Sequence, residues 1–591
     1  MKVDKERMKY LGISLLILML IFFIASQYTG GAYFLKATLI PYEFLTITTL
    51  YDNWFAYIDN PAFEKILRTA VLITYITFFV PTFIVIFFFV ILIKTEEIHG
   101  SARFANTKEL KKSGLFPTDS ERKTPSILLG KMNRGYFKNR YVELTGQLFA
   151  GVGAPTRSGK GVGLVIPNLV TFSHSVVVQD IKLENFEKTA GYRQKNGHKV
   201  FLFCPNGYNP SGIDDPDNLR THRWNPYDYV RRDAAFKVGD LLVMTGSLYP
   251  IAGDSKNDLW NELAGKLFKG LSTWMIDTEK LTNQTPTLPY LLSLTGVEGG
   301  LENWMRRELA KSYIGDDTAL EFNNFINAPE ETRGSILINL VGPLAVFTDV
   351  VAAKSVSASD FNFNDLRKEK IALYVGVRPG TLNKFKKLLN LFYEQLINEN
   401  TKVLPENDPA LKYQCLCLMD ELTAVGRIQQ IADSISFTAG YNLRFLMIYQ
   451  NEAQLEDPKN YGKDGAKNIL MNLAVKVIFP PKEVDDSVKR LSETLGTKTV
   501  RVASHSNSQG KTTSKTYNTS PQKRPLMMPH EIIELGMELH PKAPLGMKTL
   551  LVKENQRAFI MEKIIYFDEP ILLSRVNYSM ANIPEIPKLQ F

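Results

Sequence analysis

A lysine behind a glycine-rich run, and two adjacent acids closing an apolar run far downstream, are the residues whose types and order could do chemistry. The first group is Gly153-Ala-Pro-Thr-Arg-Ser-Gly-Lys-Gly-Val-Gly163, which follows Leu148-Phe149-Ala150 and precedes Leu164-Val165-Ile166. In a strand, loop, helix order, such a loop turns backbone N–H groups inward at a helix N-terminus and can cradle a phosphate chain. Thr156, Arg157, Ser158, Gly159, Lys160 and Gly161 would line it, with the Lys160 ammonium against the outer phosphates of a nucleotide. The pattern departs from G-x-x-x-x-G-K-[ST]: Ala154 stands at the first glycine, and Gly161 stands where a hydroxyl residue ordinarily meets Mg²⁺. Alone, such a loop reads equally well as a simple turn.

The second group separates these readings. Tyr413-Gln-Cys-Leu-Cys-Leu-Met-Asp-Glu421 is an apolar strand ending in two acids. Two carboxylates closing a buried strand are costly without a cation or another partner. Asp420 is the expected Mg²⁺ residue, and Glu421 the group that orients and polarises an attacking water. Salt-bridged acids at a strand end are the bland alternative, and the lysine loop argues against it. Phe445-Leu-Met-Ile-Tyr-Gln450 ends a further strand in an amide that can sense a terminal phosphate, or simply cap the strand. Lys160, Glu421 and Gln450 are the catalytic candidates, with ATP and Mg²⁺ the implied cofactors.

The elements that must position these groups are legible in outline. Short apolar, β-branched runs recur at 176–178, 200–203, 371–377, 415–419, 445–449 and 475–479, several separated by helical patterns. That alternation predicts an α/β body with a mostly parallel sheet covered by helices. One covering helix is the stripe Leu382, Phe385, Leu388, Leu389, Phe392 and Leu396. Between about 231 and 344 the rhythm changes. Leu259, Trp260, Leu263, Ala264, Leu267, Phe268, Leu271 and Trp274 run at helical spacing, with Asn257 or Asp258 able to cap them. We expect an all-α domain here, inserted between 95–230 and 345–591 of the nucleotide-binding domain, with the tryptophans packing its core. The insertion accounts for the 260 residues between Lys160 and Asp420. The stretch 504–518, rich in Ser, Thr, Asn and Lys, reads as a solvated loop. A nucleic-acid contact through Lys511 and Lys515 is its functional alternative.

Two apolar runs precede this body, about 10–28 and 71–93, each near the length needed to cross about 30 Å of hydrocarbon. Residues 1–94 are therefore expected to be a two-helix anchor, with Pro81 kinking the second helix. A cleaved signal peptide competes, but no convincing small-x-small cleavage site follows the first run, and the second span argues for a hairpin. Lys2, Lys5, Arg7 and Lys9 precede the first span, and Lys94 and Arg103 follow the second. The connection carries Glu43, Asp52, Asp59 and Glu64 against Lys36 and Lys65. Both termini should therefore face the cytoplasm. A net charge of +9 on 591 residues permits contact with nucleic acid or anionic lipid without demanding either. Of the three cysteines, Cys204, Cys415 and Cys417, the last two share a strand face and read as buried thiols. The seven histidines show no metal-ligand spacing.

Taken in order, the motifs resemble the coupling ATPases of type IV secretion, the TraG/TraD-like conjugation group. The residues that carry the resemblance are His99-Gly-Ser-Ala-Arg-Phe104, Pro155-Thr-Arg-Ser-Gly-Lys-Gly161, Asp180-Ile-Lys-Leu-Glu184 and Trp224-Asn-Pro226. Further along they are Leu418-Met-Asp-Glu421, Gln450, Ala453-Gln-Leu455, Arg524-Pro-Leu526 and Pro529-His-Glu531. Gly161 in place of the hydroxyl residue is usual in that group. The resemblance implies a RecA-like P-loop domain on a bacterial inner-membrane stem, a helical domain that meets cargo, and a homo-hexameric ring hydrolysing ATP at subunit interfaces. It also implies secretion-channel components as partners, and relaxase–DNA complexes or effector proteins as cargo, between which the sequence does not choose. The cation that a ring ATPase supplies from the neighbouring subunit stays unassigned, with Arg427 and Arg444 the nearby candidates. The competing readings are a membrane receptor in which nucleotide only stabilises docking, and an FtsK-like DNA translocase. Only two spans, and no compact DNA-reading module after the motor region, count against the translocase.

Overall fold

The computed structural model describes residues 5–92, 97–212, 215–251, 253, 255–508 and 514–591; Lys2, Lys94 and Lys511 lie outside them. It divides into two units, Met1–Ser101 with Lys498–Arg524, and Ala102–Thr497 with Pro525–Phe591.

The strands among the described residues are β1 (Ile127–Lys131), β2 (Tyr141–Leu144), β3 (Ala150–Gly153), β4 (Ser175–Gln179), β5 (Lys199–Phe203), β6 (Ile371–Val375), β7 (Cys415–Met419), β8 (Leu443–Tyr449), β9 (Val475–Ile478), β10 (Thr497–Ser508), β11 (Ser514–Pro525), β12 (Lys548–Lys553) and β13 (Phe559–Glu562). Eleven of them form one sheet in the order β2-β1-β13-β12-β9-β3-β8-β7-β4-β6-β5. From β9 to β5 every pairing is parallel, and the four strands beyond β9 join antiparallel.

Parallel strands covered on both faces must be apolar on both, and β7 shows it. Cys415, Cys417 and Met419 join one buried cluster, while Leu416 and Leu418 join the cluster of the opposite face. All three cysteines are buried and free.

Between β5 and β6 the described residues hold no strand. The main helices there are Ala234–Leu248, Ser255–Thr282, Leu288–Leu294, Leu301–Leu309, Asp316–Ile326 and Glu330–Leu344. Asn257 and Asp258 fall inside the first turn of the long helix, so neither is its cap. From Ala264 to Trp274 its apolar stripe is core, and Trp274 meets Trp304 edge to face at 4.7 Å, whereas Leu259 is exposed. This core is continuous with one face of the sheet, because helix Leu382–Asn400 lies between them. Lys387 on that helix donates to the Leu248 carbonyl at 2.9 Å, and Glu394 accepts from Ser247.

The smaller unit contains the helices Lys5–Ala37, Thr49–Tyr57 and Pro61–Leu92. The last runs through Pro81 without interruption. The connection between the two long helices is thus itself largely helical. The expected loop at 504–518 is corrected in its described part: 504–508 lie on β10 and 514–518, with Lys515, on β11, and the two strands pair. Polar residues without apolar periodicity carry no alternation from which a strand could be read.

Candidate functional site

Four parallel strands, β3, β8, β7 and β4, lie side by side with their C-terminal ends aligned: Gly153 opposite Tyr449, Met447 opposite Met419, and Met419 opposite Gln179. The residues that follow these ends therefore meet at one edge of the sheet, the place where open α/β sheets collect ligands. They are the loop from Ala154, then Gln450, then Asp420 with Glu421, and finally Asp180.

The loop is anchored at its start by the Ala154 amide, which donates to the Tyr449 carbonyl at 2.8 Å. Arg157 and Gly159 take left-handed backbone angles, with φ of 61° and 82°. For Gly159 the absence of a side chain makes this turn inexpensive. Lys160 then begins a tightly turned segment. Gly161–Val165 form a π turn that passes into the short α-helix Ile166–Leu169. Thr156 and Arg157 are exposed, while Ser158, Gly159, Lys160 and Gly161 are half-buried.

Lys160 reaches across to the two acids. Its Nζ donates to the Asp420 carbonyl oxygen at 2.7 Å and to Glu421 Oε2 at 3.2 Å, and lies 3.3 Å from Asp420 Oδ1. Gln450 Nε2 donates to the same Glu421 Oε2 at 3.3 Å. The structure thus brings Lys160, Asp420, Glu421 and Gln450 into one cluster. Burial pushes the Asp420 carboxyl up, Lys160 opposes this, and the Glu421 charge adds to it. Glu421 Oε1 and Ser158 Oγ are buried without a hydrogen-bond partner, and Asp420 Oδ1 is buried with the Lys160 ammonium as its contact. An orphaned Glu421 oxygen and a buried Asp420 carboxylate held by a lysine, beside a phosphate-type loop, are a donor set that fits a hard divalent cation. A cleft of about 1060 Å³ adjoins the loop, lined among others by Gly153, Thr156, Gln450, Lys476, Lys482 and Arg490.

Three residues outside the sequence-derived set belong to this edge. Asp180 follows β4 as Asp420 follows β7, and its carboxylate accepts from the Phe186 amide at 2.7 Å. Its pKa is pushed up to about 7, by burial first, against the Phe186 and Asn185 amides and with the Asp420 charge adding. The apolar run Ser175-Val-Val-Val-Gln179 ending in an acid is the signal that could have found it. Lys482 Nζ lies 3.3 Å from Thr156 Oγ1. Lys563, just after β13, donates to the Ser158 carbonyl at 2.8 Å and to that of Gly546. Its ammonium stands 4.4 Å over the Phe479 ring, and burial lowers its pKa to about 8. Nothing local marks Lys563, which lies 405 residues along the chain from Ser158.

Of the two candidate arginines, Arg444 stands near the start of β8 opposite Leu416, at the other end of the strands from this edge, and is fully buried. It donates to the carbonyls of Pro125 at 2.8 Å and Leu144 at 2.9 Å, so it cannot be offered to a neighbouring subunit. Arg427 is exposed on the segment after β7.

Comparison with known proteins bears on the whole of the larger unit. Residues 103–585 match the family described as type IV secretory system conjugative DNA transfer. The conjugal transfer protein TraG of Escherichia coli is 27% identical over 475 residues, 74% of this chain and 72% of the relative. Protein VirD4 of Rhizobium rhizogenes is 26% identical over 498 residues, 84% and 69% of the two chains. Among solved structures, the plasmid coupling protein TrwB in complex with the non-hydrolysable ATP analogue ADPNP superposes with a TM-score of 0.55 at 15% identity, over 80% of this chain and 95% of that one. TrwB in complex with ADP and Mg²⁺ gives 0.53 at 13%, over 84% and 98%. The fold is therefore that of the RecA-like P-loop NTPases.

Proposed function

The chain belongs to the conjugative DNA-transfer family of type IV secretory systems, and from that premise we propose that it is a membrane-anchored coupling ATPase that delivers cargo to a type IV secretion channel. The observation that carries the catalytic part is the convergence of Lys160, Glu421 and Gln450 with Asp420 at the ends of β3, β7 and β8.

In this reading ATP lies on the loop 156–161, whose amides and Lys160 bind its phosphates. Asp420 would hold Mg²⁺, which when bound neutralises charge on the phosphoryl group. Glu421 orients the attacking water and accepts its proton, and Gln450 fixes the Glu421 carboxylate. Lys160, which now neutralises the acid pair, is within reach of both the acids and the loop. Nucleotide and cation can therefore exchange for that ion pair without a large movement of backbone.

The helical segment 231–344 is assigned as an inserted domain that meets cargo, with 95–230 and 345–591 as the nucleotide-binding domain and 1–94 as the stem. Helices Gly12–Ala37 and Pro61–Phe88 are long and apolar enough to cross a bilayer. The basic residues before the first and after the second support both termini in the cytoplasm. Assembly as a homo-hexamer in the bacterial inner membrane would place a cation from the adjacent subunit at each site. Relaxase–DNA complexes and effector proteins are the two cargo classes.

ATP turnover of the full chain in lipid nanodiscs, with and without duplex DNA, tests the enzyme. Cargo transfer by Lys160→Ala tests the motor. Transfer at wild-type level by that variant would leave only a nucleotide-stabilised receptor. Salt-sensitive stimulation by DNA would mark phosphate contacts, and its absence would favour protein cargo.

A further inference from the structure

We propose that the connection between the two N-terminal helices is a membrane-interface element, with the exposed rings of Phe44, Tyr51 and Phe55 seated in the headgroup layer of the bilayer. This rests on the reading of those helices as the anchor. It adds a lipid-binding surface that the apolar spans do not themselves imply.

Depth follows from where the connection touches the helices. The helices cross closely at Gly30, against Ala70 and Thr74, and the connection packs on Gly31. A Cβ on Gly30 would meet the Ala70 carbonyl at 3.0 Å and Leu50 Cδ2 at 3.1 Å, and one on Gly31 would meet Leu45 Cδ1 at 3.1 Å and Thr49 Cβ at 3.2 Å. Below that level the helices stay in register, through the Thr29–Thr77 hydroxyl contact at 3.0 Å and the Phe23–Phe78 edge-to-face pair. Leu11 to Gly30 on one helix and Leu72 to Leu92 on the other are each about 30 Å of rise, the thickness of a hydrocarbon core. Neither stretch contains an acid or a base. Both helices thus place the outer edge of the hydrocarbon at the Gly30 level. Helix Thr49–Tyr57 starts at that level too.

That short helix has two faces. Leu50 is buried with Phe34, Leu35, Leu67 and Ala70, and Trp54 packs against them. The other face carries Tyr51 and Phe55, 64% and 69% exposed, their rings edge to face at 4.8 Å, and Phe44 beside this segment is 66% exposed. Arg68 and Glu64, paired at 2.8 Å, begin the charged zone on the neighbouring helix. Aromatic rings between a charge-free span and the first charges lie at the depth where a flat, amphipathic ring is most stable. The exposed Asp52 carboxylate then stays on the water side.

The test is nitroxide labelling of single cysteines in the full chain, in nanodiscs of phosphatidylcholine and phosphatidylglycerol. The native cysteines are buried, and unsubstituted chain gives the labelling background. Labels at Tyr51→Cys and Phe55→Cys are compared with Leu16→Cys in mid-span and Ile338→Cys in water, both exposed sites. Accessibility to oxygen relative to a water-soluble nickel chelate is expected to be at least about threefold higher at Phe55 and Tyr51 than at Ile338, and below that at Leu16. Nickel accessibility at both sites equal to that at Ile338, with Leu16 still shielded, overturns the interface proposal and leaves the anchor intact. Exposure of Leu16 as well would instead sink the anchor. Shielding of Phe55 that persists in lipid-free detergent at the Ile338-referenced level would assign a protein cover and also overturn the proposal.

Discussion

Replacing Lys563 by Met removes a cation that holds the phosphate loop from beneath. Met keeps most of the side-chain volume, so the methylenes that lie 3.1 Å from a Cβ position on Gly163 keep their place. Two bonds are lost, to the Ser158 and Gly546 carbonyls, each worth about 1.5–3 kcal/mol when the donor is charged. Against this, burial lowers the lysine from 10.5 to about 8, so holding it charged in the folded chain costs about 3 kcal/mol. The two effects partly cancel, leaving a loss of about 0–3 kcal/mol in stability at pH 7. They do not cancel in the loop, which loses its tie to the end of β13. The expected outcome is a thermal midpoint within a few degrees of wild type and nucleotide affinity weakened about tenfold to a hundredfold, for a loss of about 1.5–3 kcal/mol. Fluorescent-nucleotide titration of the full chain in detergent measures the second quantity. The pH dependence gives an independent reading. Between pH 8 and 10.5 the unfolded chain keeps a proton on this lysine that the folded chain has released, so wild type gains stability relative to Lys563→Met as pH rises through that window. Unchanged affinity in the variant would refute the clamping role. Parallel stability–pH curves would show that the lysine is not held out of water.

Four further outcomes follow from the same contacts. Lys160→Ala should abolish detectable nucleotide binding and lower ATP turnover by at least about 10²-fold, since it removes the ammonium that the loop brings to the acid pair. Glu421→Gln should retain nucleotide affinity while turnover falls by about 10²–10⁴-fold, which separates water activation from binding in a single pair of assays. Arg444→Met should behave as a core lesion, lowering stability by about 3 kcal/mol or more because the Pro125, Leu144 and Leu148 carbonyls lose their donor. Mixing it with wild-type subunits should not restore its function, as it would for an arginine acting in trans. Gly191→Ala should cost about 1–3 kcal/mol in thermal unfolding, because the added methyl overlaps the Asn582 carbonyl and sits 2.9 Å from that of Ser579, where helix Glu184–Lys195 meets helix Pro570–Ala581.

Residue type and order were enough for the chemistry that is local in sequence. A phosphate loop is one continuous segment, and its lysine, glycines and following helix are adjacent. An acid pair closing an apolar run is equally local, as are the two spans and the apolar strands, whose periods of two and of continuous burial are written residue by residue. Polar stretches are less legible. The ribbon of β10 and β11 reads as loop because its residues there are polar and carry no apolar alternation.

What the chain order could not supply is neighbourhood. Only the strand order β3-β8-β7-β4 puts Gln450 beside Glu421 and places Asp180 next to the acid pair, because that order depends on which crossovers pass over which face. Lys563 shows this most plainly, reaching the phosphate loop from just past the end of β13, 405 residues away, with no local pattern to announce it. Arg444 is the reverse case: its place in the sequence suggested a catalytic cation, and the fold puts it at the far end of β8, buried on backbone carbonyls. The sequence by itself determined which groups can bind a phosphate and activate a water, since those are properties of side chains and short loops. Which of them share one edge of one sheet, and which cation is spent on backbone carbonyls, is a matter of packing over long separations, and only the tertiary structure decided it.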